Sequence, residues 1–212
     1  MDQIAIYLPG IILAYSAFFL SIMSPGPNIL AILGTSMSVG RSAGIAIAAG
    51  VAAGSFCWAS LTVAGLSALL AAYAWTLTVI KLVGGVYLLW LAYNAFRSAA
   101  ASHELVATVM TGPTRRLGYF ARGFIIQMTN PKAALAWIAI ISLGLRPEAP
   151  WWVGSVIIVG TAALSLAIHG VYALAFSSPP MLRVYGQARR WIQVALGTFF
   201  CFAGLRLLNS RS

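Results

Sequence analysis

The sequence Met23-Ser24-Pro25-Gly26-Pro27-Asn28 interrupts the first long apolar stretch of the chain. A second interruption, Met128-Thr129-Asn130-Pro131-Lys132, stands at the corresponding place in the second half. Proline removes a backbone donor and clashes with the preceding turn, so each interruption predicts a broken helix. Backbone groups freed inside a bilayer must be satisfied by protein or by water in a cavity. Breaks at matching positions of two halves are typical of the substrate site of a membrane carrier.

The composition places the chain in a membrane. Of its 212 residues, 61% are hydrophobic and only 8% are charged, against roughly 25% charged in soluble domains. Charged residues are absent between Asp2 and Arg41, between Arg41 and Lys81, and between Glu148 and Arg183. Each of these gaps is long enough for the ~20 apolar residues that cross a bilayer. The sequence therefore predicts a multi-pass integral membrane protein.

The apolar segments predict an all-α membrane protein with six transmembrane helices, at about 8–35, 43–71, 75–97, 117–143, 152–177 and 188–208. The whole chain, 1–212, is read as a single transporter domain. Repeat one covers about 1–98, a linker covers about 98–116, and repeat two covers about 117–212.

The distribution of basic residues predicts the orientation. Loops three and five are flanked by Arg97, Arg115, Arg116, Arg183, Arg189 and Arg190. Since cytoplasmic loops collect Lys and Arg, loops one, three and five, the linker among them, are predicted to be cytoplasmic. Both termini are then outside, although Arg206 and Arg211 place positive charge on that side.

The two halves resemble each other. A shift of about 105 residues lays Met23-Ser24 on Met128-Thr129 and Arg41 on Arg146. Three spans per repeat is an odd number, so the second copy is expected to be inverted in the membrane. Inverted repeats with broken first and fourth helices place a substrate site near the bilayer midplane.

The first break offers partners for two opposite charges. A helix that restarts near Asn28, with Asn28 as a preferred N-cap residue, carries free N–H groups and a partial positive charge. The carbonyls that end the preceding half-helix present the opposite partial charge, and the side chains of Ser24 and Asn28 add hydrogen-bonding groups. This combination suits the carboxylate and the ammonium of an amino acid.

Three titratable side chains within predicted spans have two interpretations each. Lys132 is either a counter-ion or switchable group at the substrate site, or it snorkels or binds carbonyls freed by Pro131. Lys81 is nearer the outer end of the third helix, where snorkelling and function are equally open. His169 is either a satisfied core histidine or part of a proton relay.

The residue types exclude other classes of protein. The net charge of +10 comes from basic residues beside spans, so no nucleic-acid partner is expected. Cys57 and Cys201 have no metal-ligand spacing, and neither a metal nor another cofactor is predicted. The acids Asp2, Glu104 and Glu148 all lie outside the predicted spans.

Four segments resemble the LysE/RhtB family of amino-acid exporters: Ser24-Pro25-Gly26-Pro27-Asn28, the Gly-rich second span, residues 81–88 (KLVGGVYL), and Gly123-Phe124 followed by Asn130-Pro131-Lys132. The resemblance implies a multi-pass exporter in the bacterial inner membrane that moves amino acids or close derivatives by proton antiport. The residues that it carries over are Ser24, Pro25, Gly26, Pro27, Lys81, Asn130, Pro131 and Lys132.

One position departs from the resemblance. Many family members have Asp after the SPGP motif, where this chain has Asn28. Without an acid in a span, neutral substrates such as homoserine, homoserine lactone, threonine or leucine are favoured over lysine. Proton coupling would then depend on Lys81, Lys132 or His169.

Two other classes remain as alternatives to an amino-acid exporter. A channel, or a carrier of another small solute, is compatible with the same spans. An intramembrane hydrolase is disfavoured, because His169 has no GxSG-type partner motif, so the chain is not expected to be an enzyme. The expected partners are a small-molecule substrate and the lipid bilayer, and a homo-oligomer stays open.

Overall fold

The computed structural model of the protein describes residues 3–24, 26–72, 76–100, 115–145, 148–175 and 179–209. Those residues form eight α-helices and no β-strand, so the prediction of an all-α protein is confirmed for them. In chain order the helices are α1 Gln3–Met23, α2 Pro27–Ser38, α3 Arg41–Ala72, α4 Thr76–Ala100, α5 Arg116–Thr129, α6 Pro131–Gly144, α7 Trp151–Ala175 and α8 Pro179–Asn209.

The two predicted helix breaks are present. Helix α1 ends at Met23 and α2 begins at Pro27, whereas α5 ends at Thr129 and α6 begins at Pro131. The axes of α5 and α6 are bent by 64° at Asn130. In both cases a proline occupies the first turn of the second half-helix, where its missing N–H is not needed.

Four helices contain an apolar segment long enough to cross a membrane by itself, namely α1, α3, α7 and α8. The bent pair of α5 and α6 meets the same criterion as one broken span. Helix α1 starts at Gln3, several residues before the predicted start at about 8, and is already 21 residues long. The multi-pass architecture is therefore present, while the arrangement of six spans as inverted repeats stays a proposal.

Glycines bring the backbones of α3 and α5 into contact. A side chain at Gly50 would meet the backbone of Phe120, and one at Gly123 would meet the carbonyl of Ile47. Gly54 lies against the side chain of Gln127. Small residues allow such close approach between membrane helices. The Gly-rich second span, which is α3, thus packs closely against α5. Helix α3 also packs along α7, and α4 packs along α8.

Two apolar clusters pack on opposite sides of the breaks. The α1–α6 cluster contains Phe18, Trp137, Ile141, Ile157 and Phe200, among other residues. The α2–α3 cluster contains Ile29, Ile32, Ile47, Val51 and Tyr119, among others. Each broken helix therefore contributes one half to each cluster, and the breaks lie between the two.

Candidate functional site

Both breaks face one central cavity of about 40 Å³. Its polar lining comes from Ser21, Ser24, Asn28, Gln127, Asn130, Lys132 and His169, and Gly26 forms part of the wall. Pro27 and Pro131 are exposed and act on the backbone instead of lining the cavity. Pro25 lies outside the described residues.

At the second break, the backbone N–H groups are hydrogen-bonded to a residue of the break itself. Asn130 is the N-cap of α6, and its Oδ1 accepts a hydrogen bond from the backbone N–H of Lys132 at 3.0 Å. The carbonyl of Asn130 accepts from the N–H groups of Ala133 and Ala134 at 3.0 and 3.2 Å. The first N–H groups of α6 are therefore satisfied, as expected for a helix with an Asn cap.

The first break is open by comparison. Here the N-cap is Gly26, which has extended backbone angles and no capping side chain. The prediction that Asn28 caps this helix is wrong, because Pro27 takes the first helical position and moves Asn28 into the first turn. Within the described residues, the N–H groups of Asn28 and Ile29 have no hydrogen-bond acceptor. The positive end of α2 is thus available to an anion at the cavity wall.

Lys132 joins the two breaks. Its Nζ donates a hydrogen bond to the carbonyl of Ser24 at 3.4 Å, directly after the negative end of α1. Gly26 lies beside the ammonium, because a Cβ there would be in ordinary van der Waals contact with Nζ, at 3.7 Å. The described residues include one acidic residue, Glu148, which lies in the loop before α7. No described helix therefore contributes a carboxylate that could neutralise Lys132. The carbonyl of Lys132 accepts from the Tyr87 hydroxyl at 2.9 Å, which fixes α6 to α4.

A buried glutamine, Gln127, holds the polar side of the cavity together and was not predicted from the sequence. The Gln127 side chain accepts a hydrogen bond from Asn28 Nδ2 and donates one to Ser55 Oγ at 2.8 Å. Its backbone carbonyl accepts from Trp58 Nε1 at 3.2 Å. An amide inside the apolar run before Asn130 was the available signal, because a buried polar side chain needs partners.

One side-chain atom of this network, Oδ1 of Asn28, has no hydrogen-bond partner among the described residues. The atom is buried, and Nδ2 of the same amide is bound to Gln127. A buried acceptor without a donor is costly, so the atom is suited to bind a donor group of a ligand. Asn28 is therefore at the cavity, but through its side-chain oxygen and not as a helix cap.

His169, in α7, also lines the cavity. It is 1% exposed, and its Nδ1 lies 2.9 Å from the carbonyl of Ser165 and 3.1 Å from the Ser165 hydroxyl. A carbonyl accepts only from a protonated nitrogen, so Nδ1 carries the hydrogen and Nε2 is the free acceptor of the neutral ring. Lys81 lies in α4, but its side chain falls outside the described part of the chain, so its role stays a prediction.

Apolar side chains of both clusters also line the cavity. Phe18 and Trp137 are in ring contact, with centroids 5.0 Å apart, at the edge of the α1–α6 cluster. On the other side Ile29 belongs to the α2–α3 cluster, where the Tyr172 hydroxyl also reaches Met23 Sδ at 3.4 Å. A cavity of this size holds roughly three waters at the usual minimum of 10–15 Å³ each. The cavity therefore has less room in this conformation than an amino acid needs.

No group of three His, Cys, Asp or Glu side chains with metal-site geometry occurs in the described part of the chain. The chemistry that the cavity offers is instead a set of hydrogen-bonding groups, one ammonium and two helix ends of opposite polarity. Such a set is suited to the non-covalent binding of a small zwitterion.

The family model of the LysE type translocator matches residues 19–211, which is nearly the whole chain. The chain belongs to the LysE family. The resemblance seen in the sequence motifs is thereby confirmed, as is the expectation of a transporter instead of an enzyme. The LysE-family assignment and the several apolar helices together identify a multi-pass protein of the bacterial inner membrane.

Relatives in this LysE family include proteins named for amino-acid efflux. The chain is 29% identical over 196 residues to the threonine efflux protein of Escherichia coli strain K12, covering 90% of this chain and 93% of that one. It is 27% identical over 193 residues to the homoserine/homoserine lactone efflux protein of Salmonella typhimurium, covering 89% and 91%. It is 30% identical over 211 residues to the uncharacterized membrane protein YahN of Escherichia coli, covering 98% and 93%. No solved structure matches the chain significantly.

Proposed function

We propose that this LysE-family protein exports neutral amino acids or close derivatives, such as threonine, homoserine, homoserine lactone or leucine, in exchange for protons. The observation that carries the proposal is the position of Lys132, whose ammonium lies at the negative end of α1 beside the open positive end of α2. The proposed substrate site consists of Ser24, Gly26, Asn28, Asn130 and Lys132, which line the cavity. Pro27 and Pro131 would shape its backbone, and Pro25, outside the described residues, stays part of the proposal.

The carboxylate of the substrate would bind at the start of α2. The N–H groups of Asn28 and Ile29 are unpaired there among the described residues, and the Lys132 ammonium is close to Gly26. A carboxylate that accepts from backbone N–H groups at a helix N-terminus is a well-established arrangement. The adjacent cation strengthens it, because hydrogen bonds between charged groups are shorter and stronger than neutral ones.

The ammonium of the substrate would take the place now held by Lys132. In this structure Nζ of Lys132 binds the Ser24 carbonyl, which is the acceptor that a substrate ammonium would use. The unpaired Oδ1 of Asn28 is a second acceptor for the same group. Binding of the substrate ammonium therefore frees Lys132 to turn toward the substrate carboxylate. Lys132 would thus yield its present position to the substrate ammonium and act as the counter-ion of the substrate carboxylate.

The side chain of the substrate would point toward apolar walls. Phe18, Trp137 and Ile140 line that part of the cavity, and no described helix contributes an acid there. A buried cationic side chain would have no carboxylate to pair with, which is expensive in a membrane interior. This favours aliphatic and hydroxyl-bearing amino acids over lysine or arginine.

Transport would require the cavity to expand and to open to each side in turn. Two inverted three-helix repeats provide such a motion, with α1 to α4 as one repeat and α5 to α8 as the other. The packing of α4 along α8 and of α3 along α7 supports this arrangement, because a two-fold axis between the repeats maps each of these pairs onto itself. Protons would be exchanged at Lys132 or His169, which share the cavity, or at Lys81.

Efflux from proteoliposomes tests the proposal. Purified protein is reconstituted, and exchange of labelled threonine, homoserine, leucine and lysine is measured under imposed pH gradients. We expect saturable counterflow of the neutral amino acids and little transport of lysine. Counterflow that fails to saturate would indicate a channel, and transport of none of the panel would assign the site to another solute.

Substitutions at Lys132 separate charge from packing. Lys132→Met keeps the length of the side chain, so we expect normal abundance in the membrane and export reduced at least roughly tenfold, from the loss of one charged hydrogen bond. Lys132→Arg should restore export only in part, because a planar guanidinium does not reproduce a compact ammonium. The matched control is Thr129→Val at the same break, since the exposed Thr129 hydroxyl bonds only to the carbonyl of Ile125 in its own helix. Export by the Met variant at the level of the control would make Lys132 a structural residue.

A further inference from the structure

A second cavity, of about 110 Å³, lies far from the breaks between α1, α6 and the C-terminal end of α8. Its lining is about equally polar and apolar: the apolar walls come from Ile6, Pro9, Leu13 and Leu143, while Arg206 contributes the charged group. The floor is the crossing of α1 and α6 at Gly10 and Gly144, where a side chain on Gly10 would lie 2.7 Å from the Gly144 carbonyl. We refer to this cavity as the α1–α6–α8 groove.

The groove is at the depth of lipid headgroups if the breaks are near the bilayer centre. Gly10 and Gly144 lie roughly 20 Å along their helices from the two breaks, at 1.5 Å per residue. Half the hydrocarbon core is only about 15 Å thick. Arg206 is therefore expected at the membrane surface, where phosphate groups are found.

Arg206 has the properties of a headgroup ligand. It is exposed, and its guanidinium makes no hydrogen bond or ion pair with any residue that the structure describes. The neighbouring faces of α8 and α1 also expose Leu205, Phe202 and Ile12. Exposed apolar side chains at this depth are expected to contact acyl chains, so the groove opens toward lipid.

The groove is separated from the substrate cavity. Ala14 and Ala17 of α1 and Ile140 and Ile141 of α6 are buried between the two. This packed layer argues against a shared aqueous path in the observed state. The Tyr7 hydroxyl at the rim donates to the carbonyl of Glu148 at 3.3 Å, which ties the loop before α7 to α1.

We propose that the α1–α6–α8 groove binds an anionic phospholipid, with the phosphate on Arg206 and part of an acyl chain along Ile6, Pro9 and Leu13. Arg is suited to this role because its planar guanidinium binds phosphate in a bidentate manner. The apolar walls bury methylene groups of the chain, which favours a lipid over a soluble anion of the same charge. This inference does not depend on which amino acid the protein exports.

Native mass spectrometry of the purified protein tests this site. Phosphatidylglycerol and phosphatidylethanolamine are added separately to delipidated protein, and the bound fraction is measured. We expect the anionic lipid to bind more tightly, and Arg206→Gln to weaken its binding by roughly tenfold. Arg190→Gln is the matched control, because Arg190 is exposed on the same helix but far from the groove. Equal binding of phosphatidylglycerol by the Arg206 variant and the control would overturn the proposal.

A second variant tests the acyl-chain part of the site. Leu13→Trp fills the groove while Arg206 stays in place, so we expect phosphatidylglycerol binding to fall while thermal stability is kept. Glycerol phosphate provides the soluble counterpart of the headgroup and should fail to displace the lipid at equal concentration. Displacement by glycerol phosphate, or unchanged lipid binding in the Trp variant, would show a site for soluble anions instead.

Discussion

Replacing Gln127 with methionine removes two side-chain hydrogen bonds, one to α2 and one to α3. The side chain is buried and loses its bonds to Asn28 and Ser55, whereas the bond from Trp58 survives because its acceptor is the backbone carbonyl. Hydrogen bonds between membrane helices contribute about 0.6 kcal/mol on average and at most about 1.7. For two such bonds we expect a loss of about 1–3 kcal/mol in the free energy of unfolding.

Thermal unfolding in detergent measures this loss. For a chain of this size, 1 kcal/mol corresponds to roughly 2–4 °C, so Gln127→Met should lower Tm by roughly 2–12 °C. Asn94→Met is the matched control, because the Asn94 amide bonds only to the Trp90 carbonyl of its own helix and the side chain is half-buried. We expect the control to change Tm by no more than about 1–2 °C, as is usual for substitutions away from buried networks.

A double-mutant cycle with Ser55→Ala identifies the cause. Each single variant removes the bond between Gln127 and Ser55, so the double variant should lose about 0.6 kcal/mol less than the two single losses together. Strict additivity would mean that the two side chains do not interact, and the assigned network would be incorrect. Transport should also weaken in Gln127→Met, because Asn28 is no longer held with its Oδ1 free.

Further predictions concern packing, the turn after α2, and topology. Gly123→Leu should prevent accumulation of folded protein in the membrane, since its side chain would meet the Ile47 backbone, whereas Gly65→Leu should accumulate normally because no atom lies near its Cβ position. Gly40→Ala should lower stability by about 1 kcal/mol in thermal unfolding, because φ is +121° there and alanine avoids that region. A reporter that is active only in the periplasm, fused to the C-terminus, should be active if loops three and five are cytoplasmic. Activity of a cytoplasmic reporter at the same position would reverse the predicted orientation.

The helix breaks could be predicted because their cause is local. Proline has no N–H and fixes its own backbone angle, so Pro27 and Pro131 determine where a helix stops and restarts without reference to the rest of the fold. A second local rule, the preference of Asn for the N-cap position, gave the wrong prediction at Asn28. A favourable N-cap residue cannot cap a helix when the proline before it already occupies the first turn, as Pro27 does.

The polar network could not be predicted, because its partners are distant in sequence. Gln127 is 99 residues from Asn28 and 72 from Ser55, and their contact depends on how α2, α3 and α5 pack. A central position for Lys132 could be inferred from its place beside Pro131. Its bond to the Ser24 carbonyl could not, since it requires the two breaks to meet at one cavity. Apolar periodicity identifies spans, but it does not indicate which polar faces come together.

The two helix breaks, which act as the joints between α1 and α2 and between α5 and α6, differ in length and in hydrogen bonding. At the second break a single residue, the N-cap Asn130, connects α5 to α6, and the first N–H groups of α6 are all hydrogen-bonded. At the first, three residues separate α1 from α2, and the cap has no side chain. We expect the short, fully bonded joint at Asn130 to bend less readily than the longer joint before α2, where N–H groups of described residues are unbonded. We therefore expect the opening governed by α2 to be the faster of the two, so that the slow step of each transport cycle falls on the side of α6.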